Sequence, residues 1–128
     1  MKVQIVADEK TLKILCISFS EGKKHDFKLF KDSALHFSKD ILILADTGYL
    51  GITKIHTNSQ IPKKSSKKHR LTLDEKAYNS AISKRRIYIE HINRYIKRFK
   101  ILSSCYRNKR KRFTLRVSLI CGIYNFQI

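Results

Sequence analysis

Glu90 is one of three acids in residues 62–128, which carry nineteen Lys and Arg. The other two, Asp74 and Glu75, fall where a helix start favours negative charge. Arg86 lies four residues before Glu90, Arg94 four after and Lys97 seven after, so on a helix all four share one face. From spacing alone, a network of ion pairs on an exposed helix is the simpler account. Asp46 weighs against it. That residue ends the apolar run Ile41 to Ala45 and precedes Thr47, Gly48 and Tyr49, at the exit of a buried strand, where open α/β sheets place reactive groups. Two carboxylates beside a cationic surface could hold divalent metal on a phosphate and serve in-line phosphoryl transfer.

The elements that must position these acids change class along the chain. Lys2 to Ala7 and Leu12 to Phe19 are rich in β-branched and apolar residues and flank Asp8, Glu9 and Lys10, which predicts an antiparallel hairpin. Asp26 to Phe37 places Phe27, Phe30, Ala34 and Phe37 at helical spacing, with Asp26 as its cap. Ile41 to Ala45 reads as a strand buried on both faces, central or parallel. Thr72 and Glu75 form a capping box, and Ala77, Ala81, Ile82, Ile89, Ile92 and Ile96 sustain an amphipathic helix of about six to seven turns toward Lys100. Arg112 to Ile128 predicts a last helix interrupted at Gly122. No internal repeat is visible.

With 128 residues, 42% of them apolar and thirteen Phe or Tyr, the chain can build a core as one domain, which argues against disorder. Four Gly and one Pro exclude a collagen-like repeat. Cys16, Cys105 and Cys121 are odd in number and widely spaced, so they read as buried reduced thiols rather than a disulfide framework or zinc site. Asp8 and Glu9 interrupt what a signal peptide would need, and no apolar run approaches the roughly 20 residues of a membrane helix. A soluble cytoplasmic protein with no membrane partner is expected. The net charge of +18 is uneven: residues 1–61 carry nine basic against seven acidic residues, and residues 62–128 carry +16. A polyanion should meet the second half. Residues 62–70, PKKSSKKHR, read as a solvated basic loop, with phosphate contact as the alternative.

The residues Gly22 to Phe30 (GKKHDFKLF), Leu44 to Gly51 (LADTGYLG), Arg85 to His91 (RRIYIEH) and Lys97 are similar to the carboxyl-terminal part of DDE-type insertion-sequence transposases, of the Harbinger-related DDE endonuclease group. The resemblance runs over nearly all of residues 1–128. Its two elements, Asp-x-Gly-Tyr and Arg-x-x-x-Glu-x6-Lys, are each short, but they occur in order, with Asp46 and Glu90 44 residues apart and the basic loop between.

The resemblance implies a mixed α/β fold of the RNase H-like type and a triad of two Asp and one Glu. That triad binds two Mg²⁺ (or Mn²⁺) for DNA cleavage and strand transfer. Asp46 matches the second Asp and Glu90 the Glu, as catalytic residues and metal ligands. Arg86 and Lys97 match basic positions that flank the Glu and contact DNA. With them, Arg94 and the loop lysines Lys63, Lys64, Lys67 and Lys68 are the candidate DNA contacts. Ser83 stands where some relatives carry Tyr. The family's first Asp is expected upstream of Lys2, on a central strand outside residues 1–128, so the domain is expected to be amino-terminally truncated and inactive alone, its missing piece either carried by a separate polypeptide or lost. Asp8 belongs to the hairpin turn. Asp26 matches a recurrent His-Asp pair, with helix capping as its other role. Two alternatives stand beside the transposase reading: a non-catalytic DNA- or RNA-binding module, and a basic helix lying on an anionic membrane.

Overall fold

Asp8 builds the first turn by accepting the N–H groups of Lys10 and Thr11 on Oδ1, at 2.7 and 3.1 Å. These bonds favour Asp in turns, and they hold its carboxyl below the usual range, the Thr11 bond most of all. The turn joins β1 (Lys2–Ala7) to β2 (Ile14–Ser20) in the antiparallel hairpin that the sequence predicts. The register shifts between Val6 and Ala7, leaving Leu15 as the extra residue, 58% exposed. That bulge lets Ile14 and Ile17, three positions apart, pack toward one core.

The computed structural model describes residues 2–20, 23–33, 35–99 and 112–128. The chain divides into two compact units, Met1–Lys24 with Tyr88–Ile128, and His25–Ile87. In the first, the hairpin packs Val3, Ile5, Ala7, Ile17 and Phe19 against a buried cluster. The cluster draws Ile92 and Ile96 from the long helix α2 (Leu73–Ile96), and Phe113, Val117, Ile120, Cys121 and Tyr124 from the last helix, α3 (Phe113–Gln127). Phe19 meets Phe113 edge to face at 5.6 Å between ring centres, a favoured aromatic arrangement. Polar contacts fix the start of β2: Asn125 accepts the Ile14 N–H at 2.8 Å and donates to the Ile14 carbonyl at 2.9 Å. The Tyr124 hydroxyl donates to the Leu12 carbonyl at 3.0 Å.

The second unit contains α1 (Asp26–Asp32), β3 (Ile43–Leu44), two 3₁₀ turns (Thr47–Tyr49 and Ile52–Lys54), β4 (Ser59–Gln60) and α2 as far as Ile87. Phe30, Ala45 and Ile52 are its buried cluster, with Phe27, Phe37, Ile43, Tyr49 and Ile61 packed around them. Gly51 adopts φ 98°, and a Cβ there would lie 3.3 Å from the Phe27 ring, so backbone angle and contact both call for glycine. Buried His56 is tied by its Nε2 to the Ile41 carbonyl at 2.6 Å.

Several expectations need correction. Helix α1 ends at Asp32, and its cap is His25, whose ring accepts the Phe27 N–H at 3.4 Å; Asp26 is a first-turn residue. Phe37 still reaches the core, from outside the helix. The strand at Ile41 to Ala45 is parallel, one of the two arrangements expected, but not central, and it is only two residues long, paired with the equally short β4, which the sequence reading did not identify. Ile41 is 47% exposed, so the run is not buried on both faces. Helix α3 passes through Gly122 without interruption; a backbone glycine weakens a helix without breaking one that packing supports. Cys16 is half-buried and Cys121 buried, both free thiols, and Cys105 lies outside the described residues. The class is mixed α/β, and among the described residues both sheets are two-stranded, with β1–β2 separate from β3–β4.

Candidate active site

Strand β3 delivers the chain through buried Ala45 to Asp46, which turns it into the first 3₁₀ turn. The Asp46 Oδ1 accepts the Thr47 N–H at 2.6 Å and the Thr47 hydroxyl at 3.2 Å, and its carbonyl accepts the Tyr49 N–H at 3.0 Å. One carboxylate oxygen thus fixes the side chain to its own turn. The other, Oδ2, faces Arg86 of α2, with Nη2 3.9 Å away. The Asp46 side chain is 59% exposed and that of Arg86 17%, so a largely buried arginine faces an accessible carboxylate.

Two more residues join this turn: Asp26, which the sequence matches to a recurrent His-Asp pair of the family, and Tyr49, which the sequence reading gave no role of its own. Asp26, in the first turn of α1, brings its Oδ2 within 3.1 Å of where a Gly48 Cβ would stand; the missing side chain makes room for the carboxylate. Tyr49 packs edge to face on Phe30 at 6.2 Å. Burial pushes its phenol up to about 12, the charges of Asp26 and then Asp46 add to this, and Arg86 opposes them. Asp26, Asp46, Tyr49 and Arg86 therefore lie within electrostatic reach of one another. The signals were present: Asp26 follows His25 in the quoted stretch, and Tyr49 ends the Asp-x-Gly-Tyr element.

Glu90 falls in the other unit, with its own neighbours. It lines an open depression of about 350 Å³ with Asn93, Arg94, Lys97 and Arg98. Glu90 and Arg94 on α2, and Lys97 in the turn just past its end, whose N–H bonds the Asn93 carbonyl at 3.1 Å, line the same side, as their spacing predicts, and all three are exposed. Arg98 stacks over Tyr95, 4.9 Å from the ring centre. The loop lysines Lys63, Lys64, Lys67 and Lys68 are exposed, in a stretch, residues 62–70, that contains no acid.

Residues 1–125 match the sequence model of DDE superfamily endonucleases. The chain belongs to that family. Over all 128 residues it is 46% identical to a probable transposase for insertion sequence element IS702 from Microchaete diplosiphon, and it spans 46% of that relative's length. No solved structure matches significantly. DDE endonucleases generally use divalent metal ions, and the exposed Asp46 carboxylate is an oxygen donor of the kind that hard divalent cations take. Among the described residues no group of three or more His, Cys, Asp or Glu could hold a metal ion. Among the described residues no helix is long and apolar enough to cross a membrane.

Proposed function

We propose that this chain is part of the catalytic domain of a DNA transposase, of RNase H-like type, in which Asp46 and Glu90 are the second Asp and the Glu of a metal-binding triad acting on DNA phosphodiesters. The observation that carries the reading is the accessible Asp46 carboxylate at a strand exit, fixed on one oxygen by Thr47 and faced on the other by Arg86, inside a chain of the DDE endonuclease family. Two Mg²⁺ ions would activate the attacking oxygen and stabilise the leaving one. Asp46 would offer its Oδ2 to such an ion while Thr47 keeps the side chain from rotating. Arg86, which partly offsets the carboxylate charge in the free protein, would turn to the phosphate backbone on binding. Arg94 and Lys97 beside Glu90 would hold the same polyanion near the second carboxylate.

Mn²⁺ titration followed by NMR tests the metal step without requiring catalysis. Thr47 and Gly48 amide signals are expected to broaden at low Mn²⁺, and Asp46→Asn to abolish the effect; broadening that survives Asp46→Asn overturns the assignment. The 128-residue chain alone is expected to show no Mg²⁺-dependent nicking of duplex DNA above background. Joined to the part of the IS702 relative that lies outside the match, it is expected to nick, and Glu90→Gln to abolish nicking while leaving DNA binding nearly intact. Nicking indifferent to both substitutions would refute the triad. The second reading, a non-catalytic nucleic-acid module, is favoured by the +16 charge of residues 62–128; it predicts DNA binding with no Mn²⁺ response at Asp46.

A further inference from the structure

A run of four lysines, a histidine and an arginine within nine residues repels itself and would be expected to spread in water. In the His25–Ile87 unit it is instead strapped to helix α2 at two points. At the first, the Asn79 carboxamide brackets the Lys63 backbone, accepting its N–H at 2.7 Å and donating to its carbonyl at 2.9 Å. The Lys63 ammonium lies 5.6 Å from the centre of the Tyr78 ring. At the second, the His69 Nε2 lies 3.2 Å from the Glu75 Oε1, and Glu75 is itself held by the cap with Thr72. Glu75 and Asn79 are four residues apart on α2, hence one turn apart on one face. Ser66 and His69 close the segment between the straps, with backbone bonds of 2.9 and 3.3 Å and a 3.0 Å bond from the His69 N–H to the Ser66 hydroxyl. The result is a tied arch.

Lys64, Lys67 and Lys68 all project from it exposed. Holding like charges together opposes their mutual repulsion and lowers the ordering cost of any ligand that needs them together. A ligand that repeats negative charge at short intervals is complementary to such an arch, and duplex DNA carries one charge per about 1.7 Å of axis.

We propose that residues 64–68 form a pre-shaped docking arch for the phosphate backbone of duplex DNA, and that Asn79, which carries no charge, is its positioning residue. The inference rests on the DNA-acting reading of the chain but not on its metal chemistry. Binding of the 128-residue chain to a fluorescent mixed-sequence duplex over a range of salt tests it. Replacing Lys64, Lys67 and Lys68 together by Ala is expected to make the log–log salt slope shallower by about 0.9 per lost contact. Asn79→Ala removes no charge, and it is expected to weaken binding about three- to tenfold, as expected for an ordering cost moved to the binding step. It should also speed hydrogen exchange at the Lys63 amide, a check that the strap itself was cut in a folded protein.

An unchanged slope in the lysine variant overturns the arch as a DNA surface. Unchanged affinity in Asn79→Ala, with faster Lys63 exchange, overturns its pre-shaping. Flotation on phosphatidylserine vesicles that the lysine substitutions abolish, with DNA binding unaffected, overturns it in favour of a membrane surface. A shallower slope without any Mn²⁺ response at Asp46 supports the arch and fells the catalytic reading alone.

Discussion

Tyr49 records the electrostatics of the Asp46 turn, because its phenol is raised by burial first, then by Asp26 and Asp46, against the opposing charge of Arg86. A nearby anion disfavours the phenolate, so removing one lowers the midpoint. Asp26→Asn is therefore expected to bring Tyr49 down from about 12, and Gly48→Ala to shift it the same way by pushing the Asp26 carboxylate off its 3.1 Å approach. Ultraviolet titration of tyrosinate, with Tyr49→Phe marking the signal, reads both. The sign for stability follows. The folded protein keeps this proton to higher pH than the unfolded chain, so its contribution is complete below pH 10 and is lost as pH rises toward about 12. A Tyr49 midpoint that does not move in Asp26→Asn would mean that the Asp26 charge does not act on it.

Helices carry most of the positioning, and their sequence signals differ in what they control. Thr72 and Glu75 start α2 where the capping pattern puts it: the Thr72 hydroxyl accepts the Glu75 N–H at 3.2 Å and donates to the Glu75 carboxylate at 3.3 Å. The 24 residues that follow, Leu73–Ile96, extend about 36 Å at 1.5 Å per residue. Helix α3 has apolar residues on more than its buried face: Leu115, Leu119, Ile123 and Phe126 are exposed while Val117, Ile120 and Tyr124 are buried. Tertiary packing therefore sustains it across Gly122, where a Cβ would meet nothing within 4 Å. Gly122→Ala is expected to stabilise the protein by about 0.5–1 kcal/mol, measured as a shift in the urea midpoint at constant m-value. Destabilisation instead would place a contact against that position.

Over the whole molecule, charge dominates. Residues 62–128 carry +16 of the net +18, so binding to duplex DNA is expected to be governed by released counterions. With about six phosphates neutralised, the logarithm of the affinity should fall with that of salt at a slope near −5, nearly independent of sequence. A slope near zero, or strong dependence on sequence at fixed salt, would contradict a backbone-reading surface. The charge is also divided: Arg86 sits at Asp46, Arg94 and Lys97 at Glu90, and the lysine arch on α2. Substitutions in these groups are expected to differ in what they change, the arch altering salt dependence and the carboxylates altering metal response.

Local chemistry was legible where a residue acts on its own backbone neighbours. The Asp8 turn, the hairpin, the Thr72 cap, the long α2 and the shared face of Glu90, Arg94 and Lys97 all follow from spacings of four residues or fewer, or from a repeating period. The ordered elements around Asp46 and Glu90 likewise carried the family. Features that depend on distant partners were not legible. The short β3 pairs with β4, fifteen or so residues later, and Phe37 joins its cluster from outside α1. Arg86 could be read beside Glu90 from helical spacing, but its 3.9 Å approach to Asp46 needs two segments forty residues apart. Asp26 against Gly48, and Asn79 around the Lys63 backbone, are of the same kind. A side chain's periodic neighbours are encoded in its own segment, whereas these contacts exist only once packing has brought separate segments together.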